Sequence, residues 1–98
     1  MTPEGKVKAA VREVLKAHGA YWHFPIQNGM GKPTLDFVGC HQGRYFAVET
    51  KAAGCRMTMR QQQTAAEITA ADGVVFEVVG TSGIDALQHW LTRNHMEV

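Results

Sequence analysis

The chain has 98 residues, of which 45% are hydrophobic and 19% are charged, and its formal net charge is +1. These values are typical of one globular domain with a modest core, and they exclude an intrinsically disordered chain. No apolar run approaches the roughly 18 residues that a transmembrane helix needs, and the N-terminus lacks the apolar core of a signal peptide. We therefore expect a cytoplasmic protein without a membrane partner. The near-neutral charge is only weak evidence against a DNA substrate, because carboxylates at a metal site would mask local basicity.

The first predicted element is a helix near the N-terminus. Thr2 suits the N-cap, Pro3 suits the first helical position, and Gly19 suits the end of the helix. The apolar residues between them recur at helical spacing. From the residues alone, Glu4 is an acid in the first turn, where the helix dipole favours negative charge.

An aromatic run at residues 20–27 predicts a strand, which Pro25 either ends or places at an edge of the sheet. A turn-rich loop at residues 28–33 follows and leads into the next strand. Asn28 and Lys32 in this loop are candidates for contacts with a phosphate group. A mobile polar loop is an equally good interpretation.

The middle of the chain carries the pattern of a β-hairpin. Two runs rich in β-forming residues, at positions 37–40 and 45–50, flank a short polar segment that contains Gln42 and Gly43. Because side chains alternate between the two faces of a strand, every second residue of the later strand lies on one face. That face carries Tyr45, Ala47, Glu49 and Lys51.

This hairpin brings two acidic residues together. If its turn centres on the Gln42-Gly43 pair, Asp36 falls opposite Glu49 with Cβ atoms about 5 Å apart. Lys51 lies one pleat further along the same face, about 6–7 Å from Glu49. Two opposed carboxylates repel each other unless a positive charge lies between them, and either Lys51 or a divalent cation such as Mg²⁺ could supply it. Acidic metal ligands with a lysine that orients water or stabilises negative charge are the set that phosphodiester cleavage requires.

The second half of the chain predicts a helix, a strand and a last helix. Thr58 and Gln61 match a capping box, which by itself is a sufficient structural reason for the glutamine. The helix continues to the Asp72-Gly73 pair. The apolar run at residues 74–79 has the pattern of a central strand that is covered on both faces. Ser82 is the predicted cap of the last helix.

The acidic residues and the lysine resemble a known motif. Asp36 followed by Glu49-Thr50-Lys51 resembles the D…(D/E)-x-K motif of the PD-(D/E)xK nuclease superfamily. An isolated E-x-K triplet is a weak signal, whereas the ordered set at this spacing is a strong one. The chain departs from many relatives in having Leu35, rather than proline, immediately before the aspartate.

The wider pattern is similar to the VRR-NUC (virus-type replication-repair nuclease) family, and in particular to its small stand-alone phage and bacterial members. The matching segments are residues 31–37, residues 43–51, Thr58 and Gln61. The resemblance extends over roughly residues 4–80. It implies a single α/β domain over residues 1–98 with the restriction-endonuclease-like PD-(D/E)xK core, a mixed sheet flanked by helices. The implied order, α-β-β-β-α-β-α, is also the order that the periodicity predicts.

The resemblance further implies a metal-dependent DNA endonuclease with Mg²⁺ or Mn²⁺ as its cofactor. The implied metal ligands are Asp36, Glu49, the Thr50 carbonyl and Glu4. Lys51 would orient or activate the attacking water and stabilise charge at phosphorus. Gln61 would lie beside the active site and orient the water or a phosphate.

The small stand-alone relatives also imply a partner and a setting. They act as homodimers on branched or structured DNA, in the manner of Holliday-junction resolvases. This likeness would place the protein in the cytoplasm of a bacterium or of a phage-infected cell. Trp90 and the aromatic residues of the first strand are candidates for a dimer interface, and each is an equally good core residue.

Two other interpretations stay open. The first is a nucleic-acid-binding or assembly module that keeps the fold and lacks turnover. The complete acid-acid-lysine set argues against it, because binding alone does not require opposed acids. The second is a surface ion cluster on a hairpin, which would contribute little to stability.

Overall fold

A computed structural model of the chain describes residues 1–26 and 31–93. Within these residues the chain forms three α-helices and a four-stranded mixed sheet, so the predicted α/β class is confirmed. The elements are α1 (Pro3–Ala17), β1 (Tyr21–His23), β2 (Phe37–His41), β3 (Arg44–Lys51), α2 (Met59–Ala70), β4 (Val74–Val79), a 3₁₀ turn (Thr81–Ile84) and α3 (Asp85–Thr92). No described helix is long and apolar enough to cross a membrane. Asn28, a candidate phosphate contact, lies outside the described residues.

The sheet has the strand order β1-β2-β3-β4. The first three strands are antiparallel, and β4 pairs in parallel with β3 after the crossover through α2. In the described sheet β4 is therefore an edge strand, and the prediction of a central strand is wrong. Its apolar run has another cause, since helices cover both faces of the sheet beside it: α1 and α3 on one face and α2 on the other.

The β2–β3 hairpin has the predicted turn. Gln42 and Gly43 have φ angles of 51° and 81°, which are left-handed at both central positions of the two-residue loop. The register pairs His41 with Arg44 and Phe37 with Val48. This register places the side chains of β3 on the two faces in the order that the sequence predicts.

The core has two layers, one on each face of the sheet. The larger layer joins α1, the sheet and α3, and its buried members include Leu15, Phe46 and Leu87. The smaller layer lies under α2 and contains Leu35, Val38 and Ala47. Trp90 belongs to the larger layer, where its ring lies 5.7 Å from Phe46 and 5.5 Å from Phe76 between centroids. Of the two interpretations of Trp90, the structure therefore supports the core residue.

Two element boundaries differ from the predictions. β1 covers only Tyr21–His23 and ends before Pro25, which has no backbone N–H for a ladder hydrogen bond. α3 begins at Asp85 without a side-chain cap, so the predicted cap at Ser82 is wrong. The 3₁₀ turn at Thr81–Ile84 leads straight into α3, so the helix continues an existing turn.

Candidate active site

The side chain of Asp36 is held by the strand across the hairpin. Asp36 lies at a bend one residue before β2, and its Oδ2 accepts hydrogen bonds from the backbone N–H (3.0 Å) and the hydroxyl (2.7 Å) of Thr50. The backbone N–H of Asp36 in turn donates to Oε1 of Glu49 at 3.2 Å. The two carboxylates are thus brought together as the sequence predicts. The bonds that hold Asp36 each involve a side chain, and none of them is a backbone-to-backbone ladder bond.

Glu49 is the buried carboxylate of the pair. Its side chain is 5% exposed, and its Oε2 lies 3.6 Å from Nζ of Lys51. Burial and the nearby negative charge of Asp36 raise the pKa of Glu49 from 4.5 to about 7, while Lys51 acts in the opposite direction. Burial has this effect because a low-dielectric environment disfavours the charged form of the carboxyl group. Lys51 therefore offsets only part of the cost of placing two carboxylates side by side.

Gln61 contacts both the N-cap of α2 and the Glu49 carboxylate. Its side-chain oxygen accepts from Thr58 N–H (3.0 Å), and its backbone N–H donates to the Thr58 hydroxyl (3.2 Å), which completes the capping box of α2. Its Nε2 donates to Oε2 of Glu49 at 2.9 Å. One amide group therefore caps the helix and orients a carboxylate. A role for Gln61 in catalysis stays a prediction.

Glu4 is connected to Asp36 by an intervening lysine, Lys8. Lys8 lies one turn along α1, with its Nζ 3.6 Å from Glu4 and 4.0 Å from Oδ1 of Asp36. Within residues 1–26 and 31–93, no three His, Cys, Asp or Glu side chains are grouped as a metal site. Glu4 as a metal ligand, and likewise the Thr50 carbonyl, stay predictions. The Thr50 N–H and hydroxyl both donate to Asp36, and Thr50 pairs with Val78 of β4 in the sheet.

A cleft of about 330 Å³ opens beside the two carboxylates. One wall is the segment that leads into β2, and the other is the first two turns of α2. Its lining residues are Gly31, Lys32, Pro33, Thr34, Asp36, Glu49, Thr58, Arg60, Gln61 and Thr64. The cleft is polar and carries cations on both walls, so it suits an anionic substrate better than an apolar one.

Three charged residues of this region were not predicted from the sequence: Lys8, Arg60 and Glu77. Lys8 is four residues after Glu4 on the same face of α1, a spacing that indicates an ion pair without indicating its third partner. Arg60 lies in the first turn of α2 and lines the cleft. Glu77 lies on β4 and contacts the segment before α2. Lys32, which was predicted as a phosphate contact, lines the cleft and forms an ion pair with Glu67.

The donor set fits a hard divalent cation. Mg²⁺ binds through oxygen ligands, commonly one or two carboxylates together with water and substrate phosphates. Asp36 and Glu49 provide two such carboxylates beside a cleft. A cation between them would offset the burial and the Asp36 repulsion that together raise the pKa of Glu49. Oδ1 of Asp36 is the oxygen that Thr50 leaves unused.

Fold and site together define an α/β domain that carries a carboxylate pair, an adjacent lysine and a polar cleft. No protein-family model matches the chain, and no curated protein matches it closely enough to indicate a relationship. Any assignment of function therefore depends on the residues themselves and on their geometry.

Proposed function

We propose that this protein is a metal-dependent DNA endonuclease of the VRR-NUC type, with the PD-(D/E)xK core that its order of helices and strands resembles. The observation that carries the proposal is the contact between Asp36 and Glu49 at the cleft, with Lys51 3.6 Å from the second carboxylate. Glu49 is buried and Asp36 is partly buried, and two such mutually repulsive carboxylates beside a polar cleft are costly for stability. A metal ion held between the two carboxylates would offset that cost.

Asp36 and Glu49 would hold Mg²⁺ or Mn²⁺, with Glu4 and the Thr50 carbonyl as further ligands. When bound, the metal supplies Lewis-acid polarisation of the phosphate and a more acidic water. Thr50 keeps Asp36 in a single orientation through two hydrogen bonds to the same oxygen.

The remaining residues act on the water and on the developing charge. Lys51 orients the attacking water and stabilises negative charge on the phosphoryl oxygens as water attacks phosphorus in line with the leaving oxygen. Gln61 fixes the orientation of Glu49 through its amide, which limits the geometries that the carboxylate can adopt. Lys32 and Arg60 on the cleft walls would contact phosphates on either side of the cleaved bond.

The proposed substrate is branched or structured DNA, and the proposed active form is a homodimer in the cytoplasm of a bacterial or phage-infected cell. A chain of 98 residues has little surface with which to hold a duplex, so a second copy would extend the contact. Tyr21 and Phe24 are 70% and 43% exposed, and they are the aromatic residues near β1 that are open to such an interface.

The test is cleavage of labelled DNA by the purified protein in EDTA, Mg²⁺ or Mn²⁺. The substrates are a four-way junction, a flap, a splayed duplex and a linear duplex. We expect metal-dependent cleavage of a branched substrate that is lost in Asp36→Asn and Lys51→Ala. Lys16→Ala is the control, because Lys16 is an exposed lysine in the last turn of α1.

Two outcomes would contradict the proposal. Cleavage that survives in both active-site variants would indicate a contaminant or a wrong site. Junction binding with no cleavage in either metal would indicate the alternative, a nucleic-acid-binding or assembly module without turnover, and the salt dependence of that binding would then report the number of phosphate contacts.

A further inference from the structure

Two glutamates lie side by side on the α2 face of the sheet, one on β3 and the other on the edge strand β4. In the parallel register of β3 and β4, Glu77 is the direct partner of Glu49. The two side chains are nevertheless used differently. Glu49 contacts Gln61 and Lys51, whereas Glu77 contacts the connection between β3 and α2.

Within the described residues, the side chain of Glu77 makes two polar contacts, and both are with the end of that connection. Its Oε2 accepts from the backbone N–H of Met57 at 2.7 Å, and its Oε1 lies 3.5 Å from Nη1 of Arg56. The Glu77 side chain is 27% exposed and that of Arg56 is 76% exposed, so the bond to the Met57 amide is the better shielded of the two. A hydrogen bond from a backbone amide to an ionised carboxylate is stronger than a neutral one.

Met57 immediately precedes the cap of α2. Thr58 is the N-cap, and its backbone N–H and hydroxyl are both bonded to Gln61. The Gln61 amide then donates to Glu49 at 2.9 Å. A continuous series of contacts therefore runs from the Glu77 carboxylate, through the entry to α2, to the carboxylate of the proposed metal site.

The connection between β3 and α2 has few hydrogen bonds of its own, so the bond to Glu77 is important for its position. It covers residues 52–58 and contains Gly54 at a φ of 87° and the exposed Cys55, and its only internal backbone bond among those resolved joins Cys55 N–H to Ala52 O at 3.0 Å. Met57 is also held by partial packing in the smaller core layer and by a bond from the Gln62 side chain to its carbonyl. Those contacts hold its side chain and its carbonyl, and Glu77 holds its N–H.

We infer that Glu77 is a positioning residue, which fixes the start of α2 and thereby sets the contact between the Gln61 amide and Glu49. This inference rests on the proposed function for its consequence in catalysis, but the positioning itself is a property of the metal-free protein. It assigns a role to a residue that neither coordinates the metal nor touches the substrate.

The first experiment does not depend on activity. In ¹⁵N–¹H spectra of the metal-free protein, the side-chain amide signals of Gln61 report its bond to Glu49. We expect Glu77→Ala to move these signals towards the positions of a solvated glutamine. Glu77→Gln keeps an oxygen acceptor for Met57 N–H and should leave them close to the wild-type positions, as should Arg56→Ala, which removes only the ion pair. Gln61 signals that do not move in Glu77→Ala would overturn the inference.

The second experiment is a double-mutant cycle on cleavage. If Glu77 acts through Gln61, Glu77→Ala lowers kcat by about tenfold or more with little change in KM, and it has no further effect in a Gln61→Ala background. Independent effects that multiply in the double variant would contradict the inference. If Glu77→Ala does not fold, Glu77→Asp replaces it in both experiments, because it retracts the carboxylate and keeps the charge. A wild-type protein without cleavage would refute the proposed function, and the spectra would still decide the positioning role.

Discussion

The hydroxyl and the backbone N–H of Thr50 donate to the same oxygen of Asp36, at 2.7 and 3.0 Å. Because Thr50 is fully buried, this pair of bonds is shielded from water and fixes the aspartate against rotation. The second oxygen of Asp36 is left towards Lys8 and the cleft. A threonine that no nuclease motif specifies thus determines which oxygen a metal would meet.

Replacement of Thr50 tests this arrangement. Thr50→Val keeps the β-branched shape and removes the hydroxyl donor, so we expect a loss of about 1.5–3 kcal/mol in the free energy of unfolding, the range for hydrogen bonds to charged groups. We also expect Mn²⁺ to bind more weakly, because Asp36 gains rotational freedom. Thr50→Ser keeps the hydroxyl and should retain Mn²⁺ affinity. Urea unfolding and Mn²⁺ titration calorimetry measure both effects, and equal Mn²⁺ affinities in Val and Ser variants would contradict the prediction.

The two roles of Gln61, which caps α2 and donates to Glu49, can be tested separately. Glutamate also completes a capping box, so Gln61→Glu preserves the start of α2 but replaces the amide donor with a third carboxylate beside Glu49. We expect Gln61→Glu to keep thermal stability near that of the wild type in the presence of metal and to lose most cleavage activity. Gln61→Ala should lose both activity and about 0.5–1.5 kcal/mol of stability, the usual contribution of one hydrogen bond, because the Thr58 N-cap itself is kept. Full activity in Gln61→Glu would show that the donated hydrogen bond has no function.

The raised pKa of Glu49 predicts how stability depends on pH. Between pH 4.5 and about 7 the folded protein keeps a proton that the unfolded chain releases, so this group's contribution to stability falls as pH rises through that window. Glu49→Gln removes the effect, and relative to wild type it should become more stable by roughly 2–3 kcal/mol between pH 5 and pH 8 in EDTA.

Urea unfolding of both proteins at several pH values measures that difference, and titrating groups that do not interact with Glu49 cancel in the comparison. Curves that remain parallel from pH 5 to pH 8 would contradict the prediction. Mn²⁺ affinity of the wild type should rise over the same range, because the metal competes with the proton on Glu49.

Lys8 affects the electrostatics of the proposed metal site. Its ammonium group lies 4.0 Å from Asp36 and would repel an incoming cation. We expect Lys8→Gln to tighten Mn²⁺ binding by about twofold to threefold at low ionic strength, with a smaller effect at high salt because the side chain is partly exposed. Lys16→Gln, on the same helix, is the matched control. Identical affinities in the two variants would show that the Lys8 contact has no influence on the metal.

Gly39 tests the fold independently of the site. A Cβ atom at this position would lie 1.9 Å from the carbonyl oxygen of Tyr21 and 2.9 Å from Cα of Trp22, so β1 must move away from β2. We expect Gly39→Ala to destabilise the protein by about 3 kcal/mol or more, at the upper end of overpacking effects. Cys40→Ala, at the exposed neighbouring position, should change stability little. Thermal unfolding of the two variants measures both changes in stability, and a Gly39→Ala variant as stable as Cys40→Ala would contradict the prediction.

Much of the local structure follows from the sequence. The Gln42-Gly43 turn, the alternation that places Glu49 and Lys51 on one face, and the capping box at Thr58 are all set by residues a few positions apart. Periods of two and 3.6 residues carry such patterns along a strand or a helix, and no knowledge of the rest of the chain is required. The approach of Asp36 to Glu49 follows from the same turn geometry.

Other features were decided by the packing of distant elements. Each of these features joins segments that no local pattern relates. They are the edge position of β4, the approach of Lys8 to Asp36, the donation from Gln61 to Glu49 and the bond from Met57 to Glu77. The reason is physical: sequence periodicity specifies which face of an element is buried, but not against which neighbour or at what offset. The sequence by itself determined the chemical groups of the candidate site. Only the tertiary structure decided their mutual orientation, because that depends on how two core layers pack on opposite faces of one sheet.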